Sequence, residues 1–163
     1  MPLFFFSCGS SRQLATVEKL DLNEYAGTWY EIARLPNSFE TGLECITATY
    51  TNMENGKVEV LNKGWNEEDN EWKSVKGSAK RPNDKFPGQL KVTFFWPFYG
   101  AYYVMWVDAE YKYALVGHPN RKYLWILARN PVCDESVLER MKAHAAEEGF
   151  DISQLVWVEH SCQ

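Results

Sequence analysis

Between residues 28 and 129 the chain passes through eight short segments in which apolar and polar residues alternate, and nearly all of them are closed off by a turn signal. The segments are 28–35, 46–51, 57–64, 72–80, 88–96, 101–107, 113–118 and 123–129. Among the signals between them are Asn55-Gly56, Glu68-Asp69-Asn70, Pro82-Asn83-Asp84, Pro97 with Gly100, and Pro119-Asn120-Arg121. A period of two makes strands, and strands at this spacing make an antiparallel sandwich or a meandering up-and-down barrel. After Asn130-Pro131 the period changes. Val137, Leu138, Met141 and Ala145 recur at helical spacing, Glu135 and Glu139 stand towards the start, and Gly149 supplies a stop. A helix placed there packs outside a closed sheet and leaves the interior free, with a short apolar run at 155–158 behind it.

The 163 residues suit one domain with a core of its own. A net charge of -5, with no block of Lys and Arg, argues against a nucleic-acid partner. The opening Met1-Pro2-Leu3-Phe4-Phe5-Phe6-Ser7 is apolar but far short of the roughly 20 residues that span a bilayer. It reads as the remnant of an export signal over 1–7, followed by a polar tether over 8–19 and a folded domain over 20–163. Small residues around Cys8 are the pattern in which a bacterial lipoprotein carries its lipid on cysteine, and the expectation is that translation starts upstream and that Cys8 is the anchor.

Side chains alternate along a strand, so each segment presents one phase inward. The inward phases are Trp29, Glu31 and Ala33; Ile46, Ala48 and Tyr50; Val58 and Val60; Val75, Gly77 and Ala79; Leu90, Val92 and Phe94; Tyr102, Val104 and Trp106; Ala114 and Val116; and Tyr123, Trp125, Leu127 and Arg129. Opposite them stand Lys57, Glu59, Lys63, Lys76, Lys80 and Lys91, which suit solvent. An eight-stranded barrel either fills with side chains or holds one small ligand. Parity alone does not choose, although Ala and Gly opposite aromatic rings leave room. Aromatics make up 15% of the chain, and Phe39 with the group 96–99 sits where an entrance would be. Histidines 118, 144 and 160 are scattered, and no Gly-rich phosphate loop or paired-cysteine zinc spacing occurs, so the chain offers no catalytic constellation, metal site or cofactor site.

Gly27-Thr28-Trp29 at the head of the first strand, Asp108 with Tyr111 to Val116, and Trp125-Ile126-Leu127-Ala128-Arg129-Asn130-Pro131 resemble, in order and spacing, the three sequence blocks of the lipocalins. Trp29-Tyr30-Glu31-Ile32-Ala33-Arg34, Asn62-Lys63-Gly64 and Pro97-Phe98-Tyr99-Gly100 point to the bacterial outer-membrane members in particular. The second block has one more residue before Tyr113 than its commonest form, which implies a local loop difference. The resemblance implies an all-β, eight-stranded antiparallel barrel with one C-terminal helix outside. It implies a floor of Gly27, Trp29 and Arg129, with the guanidinium stacked on the indole.

The inward phases, with Phe39 at the entrance, give the expected ligand set: Ala33, Phe39, Ile46, Ala48, Tyr50, Val58, Val60, Val75, Leu90, Val92, Phe94, Tyr102, Val104, Trp106, Val116, Tyr123 and Trp125. The ligand the resemblance implies is a fatty acid such as palmitate or a lysophospholipid, stored or transported by a monomer or homodimer anchored to the periplasmic side of the outer membrane. Cys45 and Cys162 resemble the pair that ties the C-terminus to the barrel in part of the family, which leaves Cys133 free. Two other readings stay open: a catalytic lipocalin using Cys45, and a structural envelope lipoprotein with a filled barrel.

Overall fold

The computed structural model describes residues 12–95 and 98–162. Cys8, Trp96 and the side chain of Phe98, all given roles above, lie outside that description, as does the segment 1–7. A one-turn helix α1 (Leu22–Tyr25) leads into β1 (Gly27–Arg34), β2 (Leu43–Asn52), β3 (Val58–Asn66), β4 (Glu71–Lys80), β5 (Gln89–Phe95), β6 (Phe98–Val107), β7 (Tyr113–Gly117) and β8 (Leu124–Ala128). Helix α2 (Glu135–Glu147) and a two-residue strand β9 (Val156–Trp157) follow. Each strand pairs antiparallel with the next, and β1 pairs with both β2 and β8, which closes the eight-stranded barrel; β9 adds to the free part of β1. The apolar run at 155–158 thus contributes a ninth, short strand outside the barrel.

Helix α2 starts where Asp134 accepts a hydrogen bond from the Val137 N–H at 3.1 Å, and ends where Gly149 takes a left-handed φ of 93°. It buries Met141 and Ala145 in an apolar layer with Leu115, Leu124 and Ile126 from the outer phase of β7 and β8. A second apolar cluster, built on Trp29, Tyr50, Val58, Val60, Leu90, Val104, Val116 and Leu127, fills one end of the barrel interior.

Two features depart from the sequence reading. Residues 12–19 are packed rather than a tether: Leu14 is buried in the helix-side layer, the Val17 N–H donates to the Val104 carbonyl at 3.0 Å, and Arg121 holds the Arg12 carbonyl. Two isolated apolar residues in a polar stretch are enough to fasten it. Alternation also breaks at β-bulges, where one strand carries an extra residue and the facing phase flips, and those on β1 and β6 move residues expected to line the interior. On β1, Glu31 pairs with Leu127 but Ala33 pairs with Ile126, so Ile32 and Ala33 both turn to the helix side and Arg34 returns to the interior opposite Trp125. On β6, Val104 pairs with Val116 but Trp106 pairs with Leu115, which sends Trp106 to the helix-side layer beside Arg140.

Candidate ligand cavity

The interior above the filled end is hollow, with a cavity of about 700 Å³. Of the expected ligand set, Phe39, Ile46, Ala48, Tyr50, Val58, Val60, Val75, Leu90, Val92, Phe94, Tyr102, Tyr123 and Trp125 border it. Four do not. Ala33 and Trp106 are turned out by the bulges, while Val104 and Val116 point inward but are fully buried in the packed floor below the cavity. Gly77 leaves no open space: a Cβ there would stand 2.6 Å from the Phe94 ring, so the missing side chain is the seat of that ring.

The floor is built on Trp29, which has no exposed surface. Its indole N–H donates to the Tyr25 carbonyl at 2.8 Å, and the Arg129 guanidinium lies 3.8 Å above its ring centre. Arg129 in turn donates to the carbonyls of Tyr111 (3.0 Å), Thr28 (3.1 Å), Glu24 (2.8 Å) and Ala26 (2.9 Å). Gly27 has a φ of 97°, and a Cβ there would come within 3.2 Å of Arg129 Nη1. Glycine therefore serves both the left-handed backbone and the close approach. The longer second block forms a local loop in which Asp108 accepts from the Lys112 and Tyr113 N–H groups, both at 2.7 Å, and Tyr111 takes a positive φ.

Just above the floor three phenols meet: Tyr25 and Tyr50 each stand within hydrogen-bond distance of the Tyr102 hydroxyl, at 2.7 and 2.8 Å. Burial pushes all three well above the usual phenol range, so each keeps its proton. Tyr25 was not singled out from the sequence; its position four residues ahead of Trp29, on the short α1, is the signal that could have placed it.

The opposite end is organised around a buried charged group. Glu31, Arg34 and Glu40 are all below a tenth exposed. Arg34 Nη1 lies 3.3 Å from Glu31 Oε1, Nη2 donates to the Glu40 carbonyl at 3.1 Å, and Nε lies 3.6 Å from Glu40 Oε2. Glu40 Oε2 also accepts from Asn37 Nδ2 at 2.5 Å and from the Trp125 indole at 3.1 Å. These bonds draw the loop between β1 and β2 over the mouth and set Phe39 against Tyr123 and Trp125, with ring centres 6.1 and 6.5 Å apart. Desolvation, and then the neighbouring Glu40 charge, raise the Glu31 carboxyl well above the ordinary glutamate range, and Arg34 only partly opposes them. Across the mouth Lys73, on the inner phase of β4, borders the cavity and bonds to Asp69 and Glu71.

Cys45 takes a φ of 51° at an irregularity in β2, which aims it at the C-terminal segment, and it is bonded to Cys162. The catalytic reading that relied on a Cys45 thiol thereby loses its nucleophile. Cys133 is a free thiol packed beside the helix layer, away from the cavity, and burial pushes it up to about 11. His118 accepts from the Asn120 N–H and borders the mouth; His160 pairs with the Glu31 carbonyl on the outside at 2.7 Å. Among the described residues no cluster of His, Cys, Asp and Glu has the makings of a metal site.

A closed antiparallel barrel with one long helix outside, a cation-capped floor and an apolar cavity entered from one end defines the hollow class of small barrels. Residues 20–160 match the family described as a lipocalin-like domain. The chain belongs to the lipocalin family. It is 45% identical over 148 residues to the outer membrane lipoprotein Blc of Escherichia coli K12, covering 91% of this chain and 84% of that protein. Apolipoprotein D of Mus musculus is 36% identical over 159 residues, covering 92% and 82%. Insecticyanin of the tobacco hornworm Manduca sexta shares the fold, with a TM-score of 0.76 at 23% identity over 94% of this chain and 87% of that one.

Proposed function

We propose that this lipocalin binds an elongated lipid, a fatty acid or lysophospholipid, and stores or carries it at the outer membrane, held there by lipid on Cys8. The observation that carries the reading is the cavity of about 700 Å³, closed at one end by Trp29 and Arg129 and walled by Ile46, Val58, Val60, Val75, Leu90 and Val92. From Lys73 at the mouth to Ala79 near the floor is six residue steps along β4, about 20 Å of strand, which at the usual tilt of barrel strands is a depth of about 15 Å. That depth and the apolar wall suit one acyl chain, and the charged groups at the mouth suit its polar end. In this reading the protein carries its ligand and does not transform it. The name shared by relatives such as the outer membrane lipoprotein Blc supports the location.

Each buried methylene contributes about 0.8 kcal/mol, so affinity should climb with chain length until the chain outgrows the cavity. Native mass spectrometry of the protein as purified, followed by lipid extraction, is expected to find an acyl lipid. A preparation that carries none and displaces no fluorescent fatty acid would overturn the reading. The anchor is tested separately by the intact mass of protein from native membranes, which should show a diacylglycerol-sized increment on Cys8.

A further inference from the structure

We infer that the closed end of the cavity is a hydrogen-bond-donating subsite, made by Tyr25, Tyr50 and Tyr102, that favours lipids bearing a neutral oxygen at the end of the chain that enters first. The inference rests on the reading that the cavity takes an acyl chain, and it adds which chains are preferred.

Three phenols bring three O–H donors, and the two contacts at Tyr102 use two of them. A line of hydroxyls joined end to end always leaves one O–H over, whichever way the bonds run. All three rings border the cavity, in a stretch of wall that is otherwise Val58, Val60, Ala79, Leu90 and Leu127. None of the three hydroxyls has a further partner among the described residues. A methyl-ended chain pushed down to this point strands the spare O–H in apolar surroundings; a carbonyl oxygen, which accepts and brings no donor of its own, satisfies it, whereas a fourth hydroxyl in the line would only pass the spare O–H on to itself.

The oxygen should be uncharged. The cation whose charge bears on the triad, Arg129, lies against Trp29 and gives its N–H groups to backbone carbonyls. Towards the mouth the groups that bear on Tyr50 are acids, Glu31 and Glu40. A carboxylate or phosphate at the triad would be stripped of water with no free cation to meet it. The anionic end of an amphiphile therefore belongs at the mouth, on the side of Lys73, and the neutral oxygen at the far end of the chain.

Displacement of a fluorescent polyene fatty acid by palmitic acid and by a palmitic acid chain bearing a ketone next to its terminal methyl tests this on the full chain. The ketone-bearing chain is expected to bind about fivefold to tenfold more tightly, the worth of one hydrogen bond made against one left unmade. Any single Tyr-to-Phe change still leaves a spare donor, so the informative variant is the triple Tyr25→Phe, Tyr50→Phe, Tyr102→Phe, in which the preference should vanish or reverse. Equal binding of the two lipids to the native protein overturns the inference and leaves the proposed function standing. Failure of both to displace the probe overturns both. A ketone preference that survives in a folded triple variant removes the triad as its cause. Should that variant not fold, the bound ketone gives a readout on the native protein. Its infrared carbonyl band should move to lower frequency on binding, and an unmoved band overturns the inference.

Discussion

Each end of the barrel is organised around one arginine, and the two are used in opposite ways. Arg129 at the closed end stacks on Trp29 and donates to backbone carbonyls of α1, β1 and the loop before β7, partners whose charge does not change with pH. Arg34 at the open end sits between two carboxyls, one on its own strand and one on a loop, and its Nε is buried without a hydrogen bond. The first arrangement fastens pieces of main chain to each other and has one state. The second holds a loop over an entrance through groups that can gain or lose a proton. A barrel that must stay closed below and admit a ligand above divides its stability and its adjustability accordingly.

The largest effect is expected at the floor. Arg129→Ala removes the cover of a fully buried indole and leaves several carbonyls without their donor, and should cost about 3 kcal/mol or more in chemical denaturation. Lysine should not rescue it, because a point charge cannot stack and reach those carbonyls together. Ligand affinity of the folded protein should change little. A variant that keeps its stability but loses affinity would reverse the roles assigned to the two ends.

A smaller effect, visible only as a function of pH, is expected at the mouth. The native Glu31 carboxyl holds its proton to higher pH than the unfolded chain does. Between the ordinary glutamate value near 4.3 and the raised native one, unfolding therefore releases a proton, and stability must fall as pH rises through that window. Glu31→Gln fixes the neutral form and keeps a side-chain oxygen for Arg34 Nη1. The variant should match the native protein in acid and become the more stable of the two as pH rises, as read from paired denaturation curves. Parallel curves across the window would show that Glu31 is not held protonated.

How far the two ends were legible in the sequence differs for a physical reason. The strands, the helix and most of the lining follow from alternation, because burial on one phase forces it; Val58, Val60, Leu90 and Val92 needed nothing more. The floor was legible through Gly27, Trp29 and Arg129, whose residue types are tied to one geometry. The mouth was legible only in its aromatic rim, Phe39, Tyr123 and Trp125. The extra residue at each bulge, one towards the mouth and one beside the floor, leaves no mark on composition, so Ala33 and Trp106 were counted inward, and Arg34 was not seen to return to the interior. Glu40 lies on a loop, where no period operates, and its partners Asn37 and Trp125 are brought together only by the closed barrel. The hydroxyl triad joins a one-turn helix to β2 and β6, a juxtaposition no local pattern encodes.

The smallest expected change in stability, and the sharpest test of the contrast, lies at Phe39. Its ring is 61% exposed, yet it stacks beside Tyr123 and Trp125 on the cavity border, held there by the bonds of Glu40 one residue on. An exposed ring on a loop contributes little to the fold, so Phe39→Ala should shift stability by no more than about 0.5 kcal/mol. Its contribution appears only when a ligand must pass. Removing it opens the mouth and takes apolar surface from the bound chain, so dissociation of a fluorescent fatty acid, followed by stopped flow, should accelerate about threefold to fivefold, the equivalent of about 1 kcal/mol. An unchanged rate would mean that the ligand leaves without touching this loop. A stability loss as large as that of Arg129→Ala would mean that the mouth is as much a part of the frame as the floor, and the division between the two arginines would not hold.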